Sequence, residues 1–342
     1  MNKQPRPTGL RNRLGGAIAR VSWTYLIVLI IFYFFLRIWG DDWWLATLML
    51  FGPIWVTALP LAVLAPTAAL VSRRSLVALA LAAYVAFFLL IDVCVPWRPL
   101  IHPHRLTQHL RILTCNVHGK VFDGPALGQL IEQSGPDVIL LQEAWVARQA
   151  VAPFAGDVRW HWRRDGELAI ASRYPISSAE DFGDPRWSKW GGACVRYHLA
   201  APGGEVCIFN IHLASPHTQF QAVIDQKSDS TEILEEHLAV RSQQSQKLSV
   251  VARAQGGNMM LGGDFNTICE GSIYRESWAQ FADAFTTAGL GIGHTYFAEG
   301  AAIRIDHVMS GSQWRCRRCR VGPDVGSPHR PLIADMEWIQ TR

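Results

Sequence analysis

Three long apolar stretches in the first 95 residues constrain this chain before any motif is read. Val21 to Leu36 carries no charge and ends in Arg37-Ile38-Trp39. Trp43 to Val71 is uncharged and interrupted by Pro53, Pro60 and Pro66. Ser75 to Val95 carries Asp92 alone. Each is long enough to cross a hydrocarbon layer of about 30 Å. Proline is tolerated there when neighbouring helices satisfy the freed backbone groups. Trp39, Trp43, Trp44 and Trp97 flank the stretches, where indole rings sit well at headgroup level. No small-residue cleavage site follows the first stretch, which argues for a retained helix over a signal peptide.

Charge separates the two parts of the chain. Eight of the 32 Lys and Arg precede residue 96, but only three of the 28 Asp and Glu and none of the 12 His. The net positive charge of +4 therefore resides in the first part, and the remainder is nearly neutral. Lys3, Arg6, Arg11, Arg13 and Arg20 place the N-terminus in the cytoplasm. Three crossings then put the long C-terminal part outside a bacterial cell membrane. The expected organisation is a membrane region over 1–95 with about three helices, a Pro- and His-rich linker over 96–109, and one domain over 110–342.

The long part reads as strands with few helices. Leu110 to Cys115, Asp137 to Leu141, Leu168 to Ser172, Ala193 to His198 and Val206 to Leu213 have strand patterns, as do Ile303 to Met309, Trp314 to Val321 and Leu332 to Trp338. Pro125 to Gln133 and Ser228 to Val251 have helical spacing. Gly203-Gly204 predicts a hairpin. The pair Cys316 and Cys319 is expected to be core: in a strand their Cα atoms lie about 10 Å apart, too far for a disulfide.

Strands that should be apolar repeatedly end in polar residues. Leu113-Thr114-Cys115 runs into Asn116-Val117-His118. Val138 to Leu141 ends in Gln142-Glu143. Ile208-Phe209 leads to Asn210-Ile211-His212. Met259 to Leu261 enters a Gly262-Gly263 turn and then presents Asp264 and Asn266. Arg304-Ile305 leads to Asp306-His307, and Ser327-Pro328 precedes His329-Arg330. One such end is an ordinary cap or turn. Six point to one shared site beyond the strand ends. Carboxylates, carboxamides and imidazoles make up the set, with no nucleophile elbow, phosphate loop or dinucleotide fingerprint. A hard divalent cation takes carboxylate, phosphate and water oxygens. That chemistry suits attack by water on a phosphoryl group.

The order N-x-H, Q-E, N-x-H-L, G-D-F-N, R-I-D-H and S-x-H-R-P resembles the endonuclease/exonuclease/phosphatase superfamily from about Leu110 to Asp335. Its members include DNase I-type nucleases, sphingomyelinases and inositol-polyphosphate 5-phosphatases, and membrane-anchored bacterial members look similar to this chain. The resemblance implies an α/β fold, a four-layer sandwich with two mixed β-sheets, preceded here by the transmembrane helical region. It implies Mg²⁺, with Mn²⁺ as a substitute, held by Glu143 with help from Asn116. It implies that His212 and Asn266 hold the phosphate, that Asp264 orients and deprotonates water, and that Asp306 fixes His329 against the phosphate. His307 is left a structural role.

Where the family has Ser-Asp-His, this chain has Ser327-Pro328-His329. The loss of that Asp motivates an alternative reading, a non-catalytic binding or scaffold protein on the same fold. The expected substrate is nucleic acid or phospholipid, with the lipid bilayer as the other partner. Arg163, Arg164 and Trp187, within a stripe of Arg and Trp between Arg159 and Trp190, are the candidate substrate-binding residues.

Overall fold

Two rows of β-branched and aliphatic residues set the architecture, because each needs a second apolar face to bury it. The computed structural model describes residues 9–96, 109–119, 123–145, 156–187, 189–298 and 301–339. Lys3 and Arg6 of the basic N-terminus lie outside these residues, as does nearly all of the expected linker, including His102 and His104.

Fourteen strands are described: β1 His109–Asn116, β2 Val138–Gln142, β3 His161–Asp165, β4 Leu168–Ser172, β5 Ile176–Asp181, β6 Ala193–Ala201, β7 Gly204–His212, β8 Met259–Asp264, β9 Ala282–Asp283, β10 Tyr296–Ala298, β11 Ala301–Ile303, β12 Asp306–Ser310, β13 Trp314–Val321 and β14 Leu332–Trp338. They form two six-stranded sheets, ordered β13-β14-β1-β2-β4-β3 and β5-β6-β7-β8-β12-β9, and a β10-β11 hairpin. Both sheets are mixed: β1-β2 and β7-β8 are parallel, and the other pairings are antiparallel.

The sheets face one another across a shared core that includes Ile112, Leu140, Tyr197, Ile208 and Val308. The outer face of the first sheet is covered with the help of helix α5 (Gly124–Ser134), whose Leu127, Leu130 and Ile131 pack on Leu113, Ile139 and Ile333. Asp123 caps this helix by accepting from the Ala126 N–H at 3.1 Å, and Gly135 closes it in the left-handed conformation. Helix α7 (Ser230–Arg253) covers the second sheet through Leu248 and Ala252. The short helix α6 (His217–Ile224) precedes α7, and α8 (Ala284–Ala288) follows β9. This is the four-layer sandwich that the resemblance implies.

Gly262 and Gly263 lie inside β8 and not in a turn. A Cβ at Gly262 would sit 2.5 Å from Leu140 Cδ1 on the facing sheet. At Gly263, with φ +149°, it would sit 1.8 Å from the Ile211 carbonyl oxygen. Gly263 lets backbone approach backbone, and Gly262 makes room for the Leu140 side chain. The Ile303–Met309 stretch is likewise divided, its start pairing in the β10-β11 hairpin and its end in β12. A bulge between Cys316 and Arg318 turns both Cys316 and Cys319 into the core as free thiols.

The N-terminal helices are α1 (Gly9–Trp39), α2 (Trp44–Phe51), α3 (Leu59–Val71) and α4 (Ser75–Tyr84). Two helical segments, Asn12–Trp39 and Ile54–Val71, are long and apolar enough to cross a membrane, and Ser75–Leu90 is shorter. The expected second span is thus broken: Gly52-Pro53 ends α2, and the chain restarts through a tight turn over Ile54–Ala58. The helices are not remote from the sandwich. Leu50, Phe51 and Leu90 pack in one cluster with Ile268, Ile303 and Ile305.

His237 on α7 is fully buried, edge-to-face with Trp190 at 5.2 Å. Burial, and then the neighbouring Arg241 cation, hold its pKa down to about 4 from 6.5. A depressed imidazole stabilises the fold above the unfolded value and ceases to do so as the pH falls through 6.5 toward 4. Denaturation of the full chain across this window is expected to show falling stability. A His237→Leu variant should show a flatter dependence there, and an identical slope in both would contradict this.

Candidate functional site

Strand register assembles the site. In the second sheet His212 pairs with Asp264, and Asp264 pairs with Asp306, so three neighbouring strands present one polar row. In the first sheet Asn116 pairs with Gln142 at the same end, and Glu143 follows directly. The Asn116 amide reaches across the sandwich: its Nδ2 donates to Glu143 Oε1 at 2.9 Å and to Asp264 Oδ2 at 3.0 Å. Behind it Gln142 Nε2 donates to Asn210 Oδ1 at 2.7 Å, and Asn210 Nδ2 donates to the Leu141 and Ala169 carbonyls. These buried amides tie the sheets together and leave few polar groups unmet.

Two imidazoles close the site, each held by its own carboxylate. His329 Nδ1 donates to Asp306 Oδ2 at 2.9 Å, which aims Nε2 at Asp264 Oδ2, 3.7 Å away. His212 Nδ1 donates to Glu167 Oε1 at 2.9 Å, and its Nε2 lies 3.8 Å from both Glu143 Oε1 and Asp264 Oδ2. That Nε2 is buried without a hydrogen-bond partner among the described residues. Burial works against both imidazolium ions, but the carboxylates prevail. Glu167 leads for His212 and Asp306 for His329, and each pKa rises to about 9. Burial pushes Asp264 above the ordinary carboxylate range, with His329 opposing.

The loops that carry these groups are strained. His118, Glu143 and Asn266 follow β1, β2 and β8, and each has positive φ, at 46°, 51° and 48°. Such residues cost about 1 kcal/mol or more each and persist where surrounding contacts fix them. The Asn266 N–H donates to Asp264 Oδ1 at 2.9 Å, and its Nδ2 donates to the Leu213 carbonyl at 2.8 Å. Ser327 Oγ donates to the Asn116 carbonyl at 2.7 Å and accepts the His329 N–H at 3.1 Å. Pro328 takes part through its main chain, its carbonyl accepting from the Phe297 N–H at 2.8 Å.

The charge balance fits a divalent cation. Glu167 is matched by His212 and Asp306 by His329. Glu143 and Asp264 remain, two carboxylates bridged by a neutral amide. Glu143 is the more accessible, with 26% of its side chain exposed against 2% for Asp264. An all-oxygen donor pair of this kind suits a hard ion. A second group with close donor atoms, Cys269, Asp283 and His307, is already satisfied. His307 donates from Nδ1 to Asp283 at 2.8 Å and lies 3.0 Å from the Thr267 carbonyl through Nε2, so its role is structural.

The structure thus brings together Asn116, Glu143, His212, Asp264, Asn266, Asp306 and His329. It does not bring the Arg and Trp stripe to them as a groove. Trp187 is 5% exposed and belongs to the outer core with Lys247 over its ring, because its indole fills space against Phe209 and Leu248. Arg163 pairs with Asp165 on its own strand. Arg164 sits at the rim, donating to the Trp145 carbonyl at 3.2 Å. Glu167 is not marked in the sequence, because it precedes a strand and does not end one. Strand β4 runs antiparallel to β2, so the residue before β4 arrives where β2 ends.

Residues 113–329 match the model of the endonuclease/exonuclease/phosphatase family. The chain belongs to that family. Its members hydrolyse phosphoester bonds, and this chain is a hydrolase of that class. Among solved structures, a family member from Beutenbergia cavernae is 17% identical, with 68% of this chain and 72% of that one covered and a TM-score of 0.51. A family protein from Bacteroides thetaiotaomicron is 15% identical over 68% and 99% of the two chains, at TM-score 0.51. TDP2 from D. rerio, complexed with a single-strand DNA product, is 16% identical over 68% and 100%, at 0.50. These likenesses concern the fold. No curated protein matches the chain.

Replacing Glu167 by Gln removes the anionic partner of His212. In the metal-free full chain the His212 ring is expected to titrate well below 9 in that variant, read by NMR of the ring protons. An unchanged titration would contradict the pairing.

Proposed function

We propose that this protein is a membrane-anchored, divalent-metal-dependent phosphodiesterase whose substrate is a phospholipid headgroup. One observation carries the choice of substrate. The loops bearing Asn266 and Asp306 are followed or preceded by Ile268, Ile303 and Ile305, and these three pack on the apolar helices. A site built beside membrane helices meets phosphodiesters at the bilayer surface. Anchoring also raises the effective concentration of such a substrate. Exposed apolar residues along the helices, among them Val28, Ile31, Val63 and Leu70, are supplied with a solvent by lipid.

Three crossings are consistent with the charges. They would put Arg13, Arg20, Arg73 and Arg74 on one side, and Asp41, Asp42 and the sandwich on the other. This orientation makes the hydrolytic domain extracytoplasmic.

Glu143, with Asn116 beside it, would hold Mg²⁺ or Mn²⁺, which supplies Lewis-acid polarisation of a phosphoryl oxygen when bound. The remaining work belongs to the side chains. Asp264, with its raised pKa, accepts the proton of the attacking water. His212 and His329, kept cationic by Glu167 and Asp306, donate to phosphate oxygens as charge builds on them. His329 also stands ready to protonate the leaving oxygen, its ring orientation set by Asp306. Asn266 positions the phosphate from the strained turn.

The full chain in lipid is expected to hydrolyse phospholipid vesicles with Mg²⁺ or Mn²⁺, to stop with EDTA, and to act much more slowly on DNA or RNA. Asp264→Ala and His329→Ala should each lower turnover on the order of 10²-fold or more. Faster cleavage of single-stranded DNA than of phospholipid would replace the lipid reading with a nuclease one. Full activity in Asp264→Ala would refute the assigned chemistry.

A further inference from the structure

Arg241 of α7 is fully buried directly behind the site, and the reason is not obvious from its own domain. Its Nη2 donates to the main-chain carbonyl of Asn266. Its Nε and Nη1 have no hydrogen-bond partner among the described residues. A cation in that condition is costly unless nearby groups compensate it. Two carboxylates act on it, Asp41 and Asp264. The ring of Phe51 faces it as well, 5.7 Å from the guanidinium carbon to the centroid.

Asp41 and Phe51 come from the N-terminal helical region, not from the sandwich. Asp41 lies in the turn between α1 and α2 and is itself 3% exposed. Its Oδ2 accepts the Ile273 N–H at 3.0 Å and the Ser272 hydroxyl at 3.4 Å, just past the loop that carries Asn266. Its Oδ1 is buried without a partner among the described residues. Asp41 and Arg241 make no direct ion pair; the helical region reaches this junction through Phe51 against the guanidinium and through Asp41 bonded to Ser272 and Ile273. At the other end of the helical region Asp92 does pair directly, with the buried Arg304 two residues before Asp306.

We propose that Arg241 is a positioning residue for Asn266, and that the helical region holds it in place through Asp41 and Phe51. The membrane segment is then a working part of the hydrolytic site and not a tether. The inference rests on the phosphodiesterase reading for its activity readout only. The Asn266 turn needs such support. Its φ is +48°, and its N–H fixes Asp264 Oδ1. Released from Arg241, the turn can relax toward an unstrained conformation, and Asp264 loses its alignment. A displacement of about 1 Å in a catalytic group can cost up to 10²-fold in rate.

The test uses the full chain in nanodiscs of mixed phospholipid, with Arg241→Met, Arg241→Lys, Asp41→Asn and the Asp41→Asn/Arg241→Met pair. Arg241→Met is expected to lower kcat about tenfold or more while KM stays within about twofold. Arg241→Lys should restore part of the loss. Asp41→Asn should lower kcat severalfold, and the pair should be no worse than Arg241→Met alone, since both act on one link. Hydrogen exchange supplies the readout that needs no turnover. Amides 265–267 should exchange faster in Arg241→Met and in Asp41→Asn, with β1 and β2 unchanged. Parental kcat together with parental exchange at 265–267 would overturn the proposal, as would fully additive losses in the pair. If Arg241→Met loses protection throughout, Asp41→Asn decides by the same two measurements. If the parent chain hydrolyses nothing, the phosphodiesterase reading fails and exchange alone decides the link.

Discussion

One carboxamide between two carboxylates is the interaction on which the rest depends. Asn116 stands on the first sheet, Asp264 on the second, and Glu143 at the turn after β2, with the amide nitrogen bonded to both acids. The two carboxylates come from opposite layers, so the distance between the sheets sets the distance between the charges. Sheet separation is in turn set by the core, where Leu140 packs onto the bare Cα of Gly262. Packing, glycine placement and site electrostatics are one problem here. The other two acids, Glu167 and Asp306, take the close contacts of His212 and His329, which leaves this pair only the longer ones at 3.7 and 3.8 Å.

Much of this was legible in the chain. Binary patterning located most of the strands, because two facing sheets demand apolar alternation or solid apolar runs. Polar residues at strand ends marked Asn116, Glu143, His212, Asp264 and Asp306, since strands of a sheet bring their ends to one edge. Other features depend on three-dimensional pairing that no local pattern encodes. Glu167 precedes an antiparallel strand and so reaches the site from the opposite chain direction. Gly262-Gly263 looks like a turn in sequence and is strand in space, because steric exclusion by Leu140 and Ile211 is not a sequence property. Trp187 sits among arginines in the chain yet fills the outer core.

The junction between helices and sandwich was the least visible feature. A Pro- and His-rich segment suggests an independent domain on a flexible connection. Asp41 and Asp92 instead engage Ser272, Ile273 and Arg304, and the Phe51 ring lies tilted against Phe220, centroids 5.0 Å apart. Acidic residues at the ends of apolar helices read as loop charges. Their partners lie more than 200 positions away, and only the fold brings them within reach.

The central claim is that Glu143 and Asp264 form an acidic pair that a single divalent cation neutralises. Calorimetric titration of the full chain with Mn²⁺ tests it most directly, with Glu143→Gln alongside. The account predicts one bound ion per chain in the parent and none of comparable affinity in the variant. Equal binding by both, or none by either, would contradict it.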